Sequence, residues 1–581
     1  MGQSRARPES AGPGCPKRPR SESDLGFERR PMVRWFDPHQ LLDTTARVLT
    51  SGILSSFSDS RELQARVPAA SYDRSELNEP WIDYVSDLAD GWNSTYTVAR
   101  LLSKEELELG WEGEAQLTPR GQILIMGGDQ VYPVPKRTEY ENRLIGPYTA
   151  AMPCASAGGP ELFALPGSHD WYDGLLNFTD IFCRGRSIGA WRTRQTRSYF
   201  AVKLPHRWWL WAVDLQFGDS LDEVQLEYFA DVAGGEMEAG DSVILCMAKE
   251  VESGRKSAEV GSDRDLEYLE REVVEPAGGR VLLYLKSGRH YYSRYEQRGG
   301  DSQLITAGGG GAFMHPTHDL PDRSEPHPNA AAGSYRRAAV YPSAPDSRRL
   351  RKRVLLLPAY NLPLAGVFGG VQVLLAFMLN LHLGRRHLSL GLADLGRALW
   401  GSPTAFLLIL IVIGTVMAMV RLAHDAGGAA RLLLGLFHSL TLFCTLAAVI
   451  LAASRVSSAF GAGFMSLIAF LGLVAVLGGI GGVLGIAAYL LTANCFGFHG
   501  NEVYAPLHHM DYKCFLRLHI GADGDLTVYP IGIDRVGRKW RLCPDAPAEA
   551  PWFTPVGAEP KAHLIEAPIR IGPRRPGSPL R

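Results

Sequence analysis

Four apolar segments in one stretch, near 359–382, 403–423, 430–453 and 463–492, constrain this 581-residue chain more than any other feature of it. Each is close to or above the ~20 residues that cross the hydrocarbon layer of a bilayer. One such run could be a buried core helix. Four in succession, joined by short loops, predict an all-α bundle of four transmembrane helices over 359–492 and an integral membrane protein. No acidic or basic residue sits in the middle of a span, which argues against an ion path, and His438 reads as a packed or hydrogen-bonded histidine. In the last span Gly478, Gly479, Gly481, Gly482 and Gly485 include GxxxG spacings. These allow close helix approach, within the bundle or across a homodimer.

Basic residues set the orientation. Arg348, Arg349, Arg351, Lys352 and Arg353, with Arg421 and Arg431, lie on the side of the long N-terminal half. Arg385, Arg386, Arg397 and Arg455 lie opposite. With four crossings this bias predicts both soluble ends in the cytoplasm and the bundle in the cell inner membrane. The N-terminus shows no apolar core of a signal peptide. A net charge of −1 supplies no basic field to neutralise phosphates, so no nucleic acid is expected as partner. Eight cysteines without a CxxC pair read as reduced, mostly buried thiols.

Outside the bundle the composition divides the chain further. Residues 1–30, rich in Pro, Arg, Ser and Gly, predict disorder. Asp37-Pro38 reads as an N-cap followed by proline at the first helical position, opening a helical lead-in over 31–75. From 76 to 320 short apolar runs alternate with helical stretches, an α/β pattern with strands expected at 123–126, 162–165, 208–213, 242–246 and 281–285. Residues 321–353 form a basic linker. Beyond the bundle, 496–581 read as a small β-rich tail with a hairpin of 515–520 and 526–531.

Chemistry-bearing residues follow several of these strands, where loops of α/β folds carry their sites. Asp87 and Asp90 lie in Ser86-Asp87-Leu88-Ala89-Asp90-Gly91. Asp129 lies in Gly127-Gly128-Asp129-Gln130-Val131-Tyr132, directly after the strand ending at Met126. His169 and Asp170 lie in Gly167-Ser168-His169-Asp170, and His290 in Ser287-Gly288-Arg289-His290. Together they place carboxylates and imidazoles, donors suited to Mn, Fe, Zn or Mg, on one rim.

This order of motifs resembles the calcineurin-like metallophosphoesterases, and most of all a bacterial subgroup with C-terminal membrane spans. Gly128-Asp129 matches the family's G-D motif, and Gly167-Ser168-His169-Asp170 its G-N-H-D motif with serine for asparagine. The resemblance covers roughly 76–320 and implies a β-sandwich flanked by helices, with one or two divalent metal ions as cofactor. It implies that Asp129 bridges two metals, that Asp87 and His290 hold the first, and that His169, beside Asp170, polarises or protonates the substrate phosphate. Metal-activated water would then hydrolyse a phosphoester or pyrophosphate in a phosphorylated small molecule or a lipid-linked phosphate. Arg194 and Arg197 are candidates for a phosphate clamp. His315 and His318, after Gly308–Gly311, are candidates to lie near substrate.

The chain departs from the family at several ligands. Ala89 replaces the first-motif histidine, with Asp90 beside it as a substitute oxygen donor. Ser168 replaces an asparagine ligand, no histidine occurs between His206 and His290, and Gly288 stands where a donor is expected. Asp170 and Glu250 are further substitutes. Two classes stay open: a membrane-anchored metal-dependent phosphoesterase, or a catalytically impaired pseudophosphatase that binds a phosphorylated ligand or scaffolds at the membrane.

Overall fold

The computed structural model describes residues 15–44, 70–155, 158–215, 221–248, 266–324, 334–383, 391–420, 428–461 and 463–573. The elements that position the site are β1 (Trp81–Val85), α1 (Trp92–Leu102), β2 (Ile123–Met126), β3 (Glu161–Ala164), β4 (Phe200–Lys203), β5 (Trp208–Val213), α2 (Glu223–Glu236), β6 (Ser242–Met247), β7 (Arg280–Lys286), β8 (Tyr292–Gln297), β9 (Gln303–Ala307) and β10 (Tyr335–Tyr341). Five further helices follow: α3 (Leu362–Leu383), α4 (Leu392–Gly401), α5 (Pro403–Val420), α6 (Gly428–Ser457) and α7 (Phe464–Cys495). The last two strands are β11 (Lys513–Ile520) and β12 (Leu526–Ile533).

The architecture is mixed α/β, two sheets face to face. One contains the run β12-β11-β1-β2-β3, the other β4-β5-β6-β7-β9-β8-β10. Pairing is parallel through β1, β2 and β3 and through β5, β6, β7 and β9, and antiparallel elsewhere in these runs. Strand residues alternate faces. From β6, Ile244 and Cys246 enter the core between the sheets with Ile82, Tyr84 and Ile125. Val243, Leu245 and Met247 face outward onto α2 residues Phe229 and Val232. On the other outer face α1 packs through Tyr96, Val98 and Leu102.

The expected strands form within a residue or two of their sequence positions, but three regions differ from the reading of the sequence. The C-terminal hairpin is not an appendage. β11 pairs with β1, setting Arg517 opposite Asp83 and Leu518 opposite Ile82. Arg517 and Asp83 are both buried and bond at 2.9 Å, so the tail is part of the sandwich. Second, the described part of 1–30 is packed rather than disordered. Phe27 stacks between Trp92 and Trp552, and Leu25 is buried. The Arg18 guanidinium donates to the carbonyls of Cys543, Pro547, Ala550 and Pro551. Third, Cys15 and Cys154 are joined in a disulfide, against the expectation of reduced thiols, while Cys183, Cys246 and Cys514 are free and buried as expected. The cap at Asp37 holds, with Leu41 N donating to its carbonyl. Ala46, Val48 and Leu49 of the expected lead-in helix lie outside the described residues.

Three helices are long and apolar enough to cross a membrane: Leu362–Leu379 of α3, Gly428–Phe460 and Phe464–Cys495. The expected span at 403–423 begins as α5, which is joined to α4 in a helix pair bent by 99°. The bend falls at Ser402-Pro403, because proline disfavours the helical conformation of the residue before it. Ser402 is accordingly extended, with φ −117° and ψ 91°. α4 carries an exposed Trp400 and an Arg397–Asp394 pair, the composition of a helix lying at an interface. The last helix uses its glycines within the chain. A Cβ at Gly479 or Gly482 would meet Ala365 or Phe368 of α3, and one at Gly481 or Gly485 would meet Thr445 or Leu442 of α6.

Candidate functional site

The loops after β1, β2, β3 and β7 meet at one end of the sandwich. Backbone bonds fix the first two together: Asp87 N donates to Gly128 O and Leu88 N to Asp129 O. Both Asp87 and Asp129 adopt the left-handed conformation, with φ of 55° and 46°. That region is strained for a residue with a side chain, tolerated best by Asn and Asp, and concentrated at functional sites. The neighbouring glycines are there for space. A Cβ at Gly167 would collide with the Asp129 backbone and carboxylate, and one at Gly308 with the Asp87 carboxylate.

Three of the expected metal ligands converge on a fourth side chain. The Tyr132 hydroxyl lies 3.3 Å from Asp87 Oδ1, 3.1 Å from Asp129 Oδ2 and 3.0 Å from His290 Nε2. His290 Nε2 is 3.8 Å from Asp87 Oδ1. All four residues are buried. The His290 Nδ1–H donates to Phe313 O at 2.7 Å, which directs the Nε2 lone pair inward. Burial holds the His290 imidazole well below its ordinary pKa and therefore neutral. Burial first, then the charge of Asp129, pushes the Asp87 carboxyl well above the ordinary carboxylate range.

A divalent cation fits this arrangement. Asp87 Oδ1, Asp129 Oδ2 and His290 Nε2 are all acceptors, and the Tyr132 phenol has one proton to offer them. Asp87 and Asp129 already accept amide N–H bonds, from Gly288 N at 3.0 Å and His169 N at 2.9 Å, and a cation among the three groups would add to the compensation those bonds give. Donor separations of 3.0–3.8 Å also suit groups sharing one ion at the usual ~2.0–2.2 Å ligand distances. Among the described residues no three carboxylate, imidazole or thiol groups alone cluster closely enough to hold an ion, so the tyrosine is what completes the set.

A second ion finds far less. Beyond Asp129, Ser168 offers only its hydroxyl, 3.4 Å from Asp129 Oδ1. Ala248 lies against Gly128 and offers no donor side chain, and Gly288 contributes a backbone N–H to Asp87 at 3.0 Å. Lys249 and Glu250 lie outside the described residues.

The other expected site residues divide. His169 is at the site: its backbone N–H donates to Asp129 Oδ1 at 2.9 Å and its Nδ1–H to Pro133 O at 2.8 Å, while Nε2 has no hydrogen-bond partner among the described residues. His315 stacks on His290 at 3.8 Å between ring centres. Asp170 and Asp90 are structural. Asp170 accepts from Gln130 N, Gly167 N and the Tyr140 hydroxyl, shaping the third loop. Asp90 accepts from Val33 N at 2.7 Å and Phe313 N at 3.2 Å, which ties the N-terminal strap to the segment after Gly311. Arg194, Arg197 and His318 are elsewhere. Arg194 pairs with Glu161 at the opposite end of β3, about 10 Å along the strand, and Arg197 lies over Tyr228. His318 bonds Ser347 of the linker helix.

Two residues at the site were not assigned a role from sequence. Tyr132 stood in the second motif, three residues after Asp129, a spacing that could have marked it. Trp35 had no such signal. Its indole packs edge-on against Tyr132, His169 and Phe313, with ring centres 5.6–6.0 Å apart, so the N-terminal strap roofs the site.

No family model and no curated protein matches this chain. The solved structure of GAP50, the anchor in the inner membrane complex of Plasmodium, covers 41% of this chain and 74% of its own at 13% identity and a TM-score of 0.30, an overlap from which neither fold nor function follows.

Proposed function

We propose that this chain is a membrane-anchored phosphoesterase that works with one divalent cation, held by Asp87, Asp129, Tyr132 and His290. The observation that supports the reading is the meeting of two buried carboxylates, one imidazole and one phenol from separate strand ends, a group of oxygen and nitrogen donors whose spacing suits a shared cation. The ion supplies charge neutralisation and a bound water with pKa lowered toward ~7. The residues then have separable tasks. Phe313 O orients His290, and the Gly288 N–H offsets charge on Asp87. When protonated, His169 donates its Nε2–H to a phosphate oxygen, and Trp35 restricts water and substrate access from above.

The second reading, a phospho-ligand-binding pseudophosphatase, is favoured by one observation: the second ion would have little but Asp129. Metal analysis of the purified protein with a phosphodiester assay separates the two. One ion per chain with turnover that Asp129→Ala abolishes supports the enzyme; an ion without turnover supports the binding protein.

We also propose four crossings. α5 packs its start, Ala405 and Ile409, with Leu379 and Leu446, and its end, Val420, with Leu364 and Leu434 near the soluble half. It thus returns the chain across the bilayer, with α4 flat on the far side. For orientation the signals oppose each other. The basic-residue bias points inward but rests partly on Arg385, Arg386 and Arg421, outside the described residues. The Cys15–Cys154 bridge favours an oxidising compartment, and we give it more weight. Labelling of intact cells with an impermeant reagent tests this: protection of the soluble half would return it to the cytoplasm.

A further inference from the structure

The linker helix, Ala344–Arg351, and the short 3-10 helix that continues it, Lys352–Leu356, divide their residues between two faces. Ser347, Leu350, Val354 and Leu357 recur at helical spacing and are buried. Leu350, Val354 and Leu357 share one apolar cluster with Leu364 of α3, Val420 of α5 and Val483 of α7, which seats this face on the bundle end nearer the sandwich. The Ser347 hydroxyl accepts from Thr317 N at 3.1 Å and so ties the same face to the sandwich. The other face is basic. Arg348, Arg349, Lys352 and Arg353 are exposed there, and among the described residues none of the four forms an ion pair.

Two observations set the level of that basic face against the bilayer. Arg351 donates to Asn494 Oδ1 at 3.2 Å, and Asn494 is the last residue but one of α7, at the end of a membrane-length helix. Directly after the cations, Leu355, Leu356 and Tyr360 are 44%, 50% and 41% exposed, and Leu362, the first residue of α3, is 72% exposed. Exposed leucines with a tyrosine, running into a span, are the composition of a segment that enters the membrane interface. The four cations therefore stand at head-group level, on stems long enough to reach the phosphates of the nearer leaflet.

We infer that the exposed face of Arg348, Arg349, Lys352 and Arg353 is a binding site for the head group of an anionic phospholipid. Three of the four are arginines, whose guanidinium groups pair bidentately with phosphate oxygens. Each lysine or arginine close to an anionic leaflet strengthens attraction by about five-fold. A zwitterionic phospholipid brings its own ammonium group, which the same cations repel. The site requires no ion at Asp129 and no turnover, so it is independent of the phosphoesterase reading, and it holds for either orientation of the bundle.

The test uses the full chain in detergent micelles with equimolar phosphatidylglycerol and phosphatidylcholine of identical chains, and native mass spectrometry to count the lipids retained. Phosphatidylglycerol should be retained at least about ten-fold over phosphatidylcholine, less than the four cations together could give. Raised ionic strength should shrink that ratio, because the cations are exposed. Arg348→Gln, Arg349→Gln, Lys352→Gln and Arg353→Gln together should bring it close to one while retention of phosphatidylcholine persists. A photoreactive group on the phosphatidylglycerol head should label the wild-type chain between residues 344 and 360, which decides the location even if the glutamine variant fails to fold. Equal retention of the two lipids, a ratio unchanged in the glutamine variant, labelling around Arg397 and Arg455 instead, or displacement of the lipid by inorganic phosphate would each overturn the inference.

Discussion

The sandwich and the bundle treat buried polar groups in opposite ways. In the sandwich the carboxylates of Asp83, Asp90 and Asp170 are each answered, by a guanidinium, by backbone amides, or by amides and a phenol. Asp87, Asp129 and His290 also have amide, hydroxyl or carbonyl partners, and in addition converge from separate loops on the Tyr132 phenol. In the bundle the His438 ring nitrogens, the Ser439 hydroxyl and the Gln372 oxygen are buried without a hydrogen-bond partner among the described residues. The sandwich thus gathers its buried polar groups into connected networks, and the bundle leaves several of them isolated.

The two regions are also not beads on a string. The chain leaves the sandwich, builds the bundle and returns to add β11 beside β1. The bundle end touches the site's own loop, where Arg289 donates to Asn501 at 2.9 Å. Changes confined to one region therefore measure how far they act as separate units.

The largest expected effect is at the convergence point. Asp129→Asn should remove metal binding and lower any hydrolysis by at least about 100-fold, read by elemental analysis and a phosphodiester assay, with the helical content of the bundle unchanged. If activity survives, the sandwich comparison fails at its root. Next, Arg517→Met leaves the Asp83 carboxylate buried and unpaired and should destabilise the sandwich by about 3–5 kcal/mol in denaturant titration. A loss that small surface pairs give would mean the tail is an appendage after all.

A third expectation concerns pH. Burial depresses the Lys513 ammonium, unpartnered among the described residues, from 10.5 to about 8. Between these values the unfolded chain binds more protons than the folded one, so stability should rise with pH from about 8 to 10.5. Lys513→Met should be more stable at neutral pH and flatten that slope relative to the parent; an unchanged slope would contradict the assignment. The smallest effect belongs to the bundle. Gly482→Leu forces α7 away from Phe368 of α3 and should cost about 1–3 kcal/mol, seen as earlier thermal loss of helix signal while metal content is retained.

What could be read from sequence follows the range of the interactions. The strands and the three long spans are encoded by local periodicity and apolar length, and the motif loops by residues adjacent in sequence, so Asp87, Asp129, His169 and His290 were visible. Distant pairings were not. The contact between Asp83 and Arg517 joins positions 434 apart, and the disulfide joins positions 139 apart. No local pattern announces either. Trp35 reaches the site only because the strap is packed there by Phe27 and Val33. The bend at Ser402-Pro403 falls at the first residue of the expected span 403–423, where hydropathy marked the start of the apolar run but gave no sign of the helix α4 before it. Asp90 and Asp170 looked like ligands because acidic residues in glycine-rich loops can be either ligands or staples. Only the partners of their oxygens distinguish the two.

The central claim is that four side chains hold one cation. Equilibrium dialysis of the purified full chain against Mn(II), followed by elemental analysis, tests it directly. The account predicts one ion per chain, lost in Asp129→Asn and weakened in Tyr132→Phe. No bound ion, or two ions unaffected by Tyr132→Phe, would contradict it.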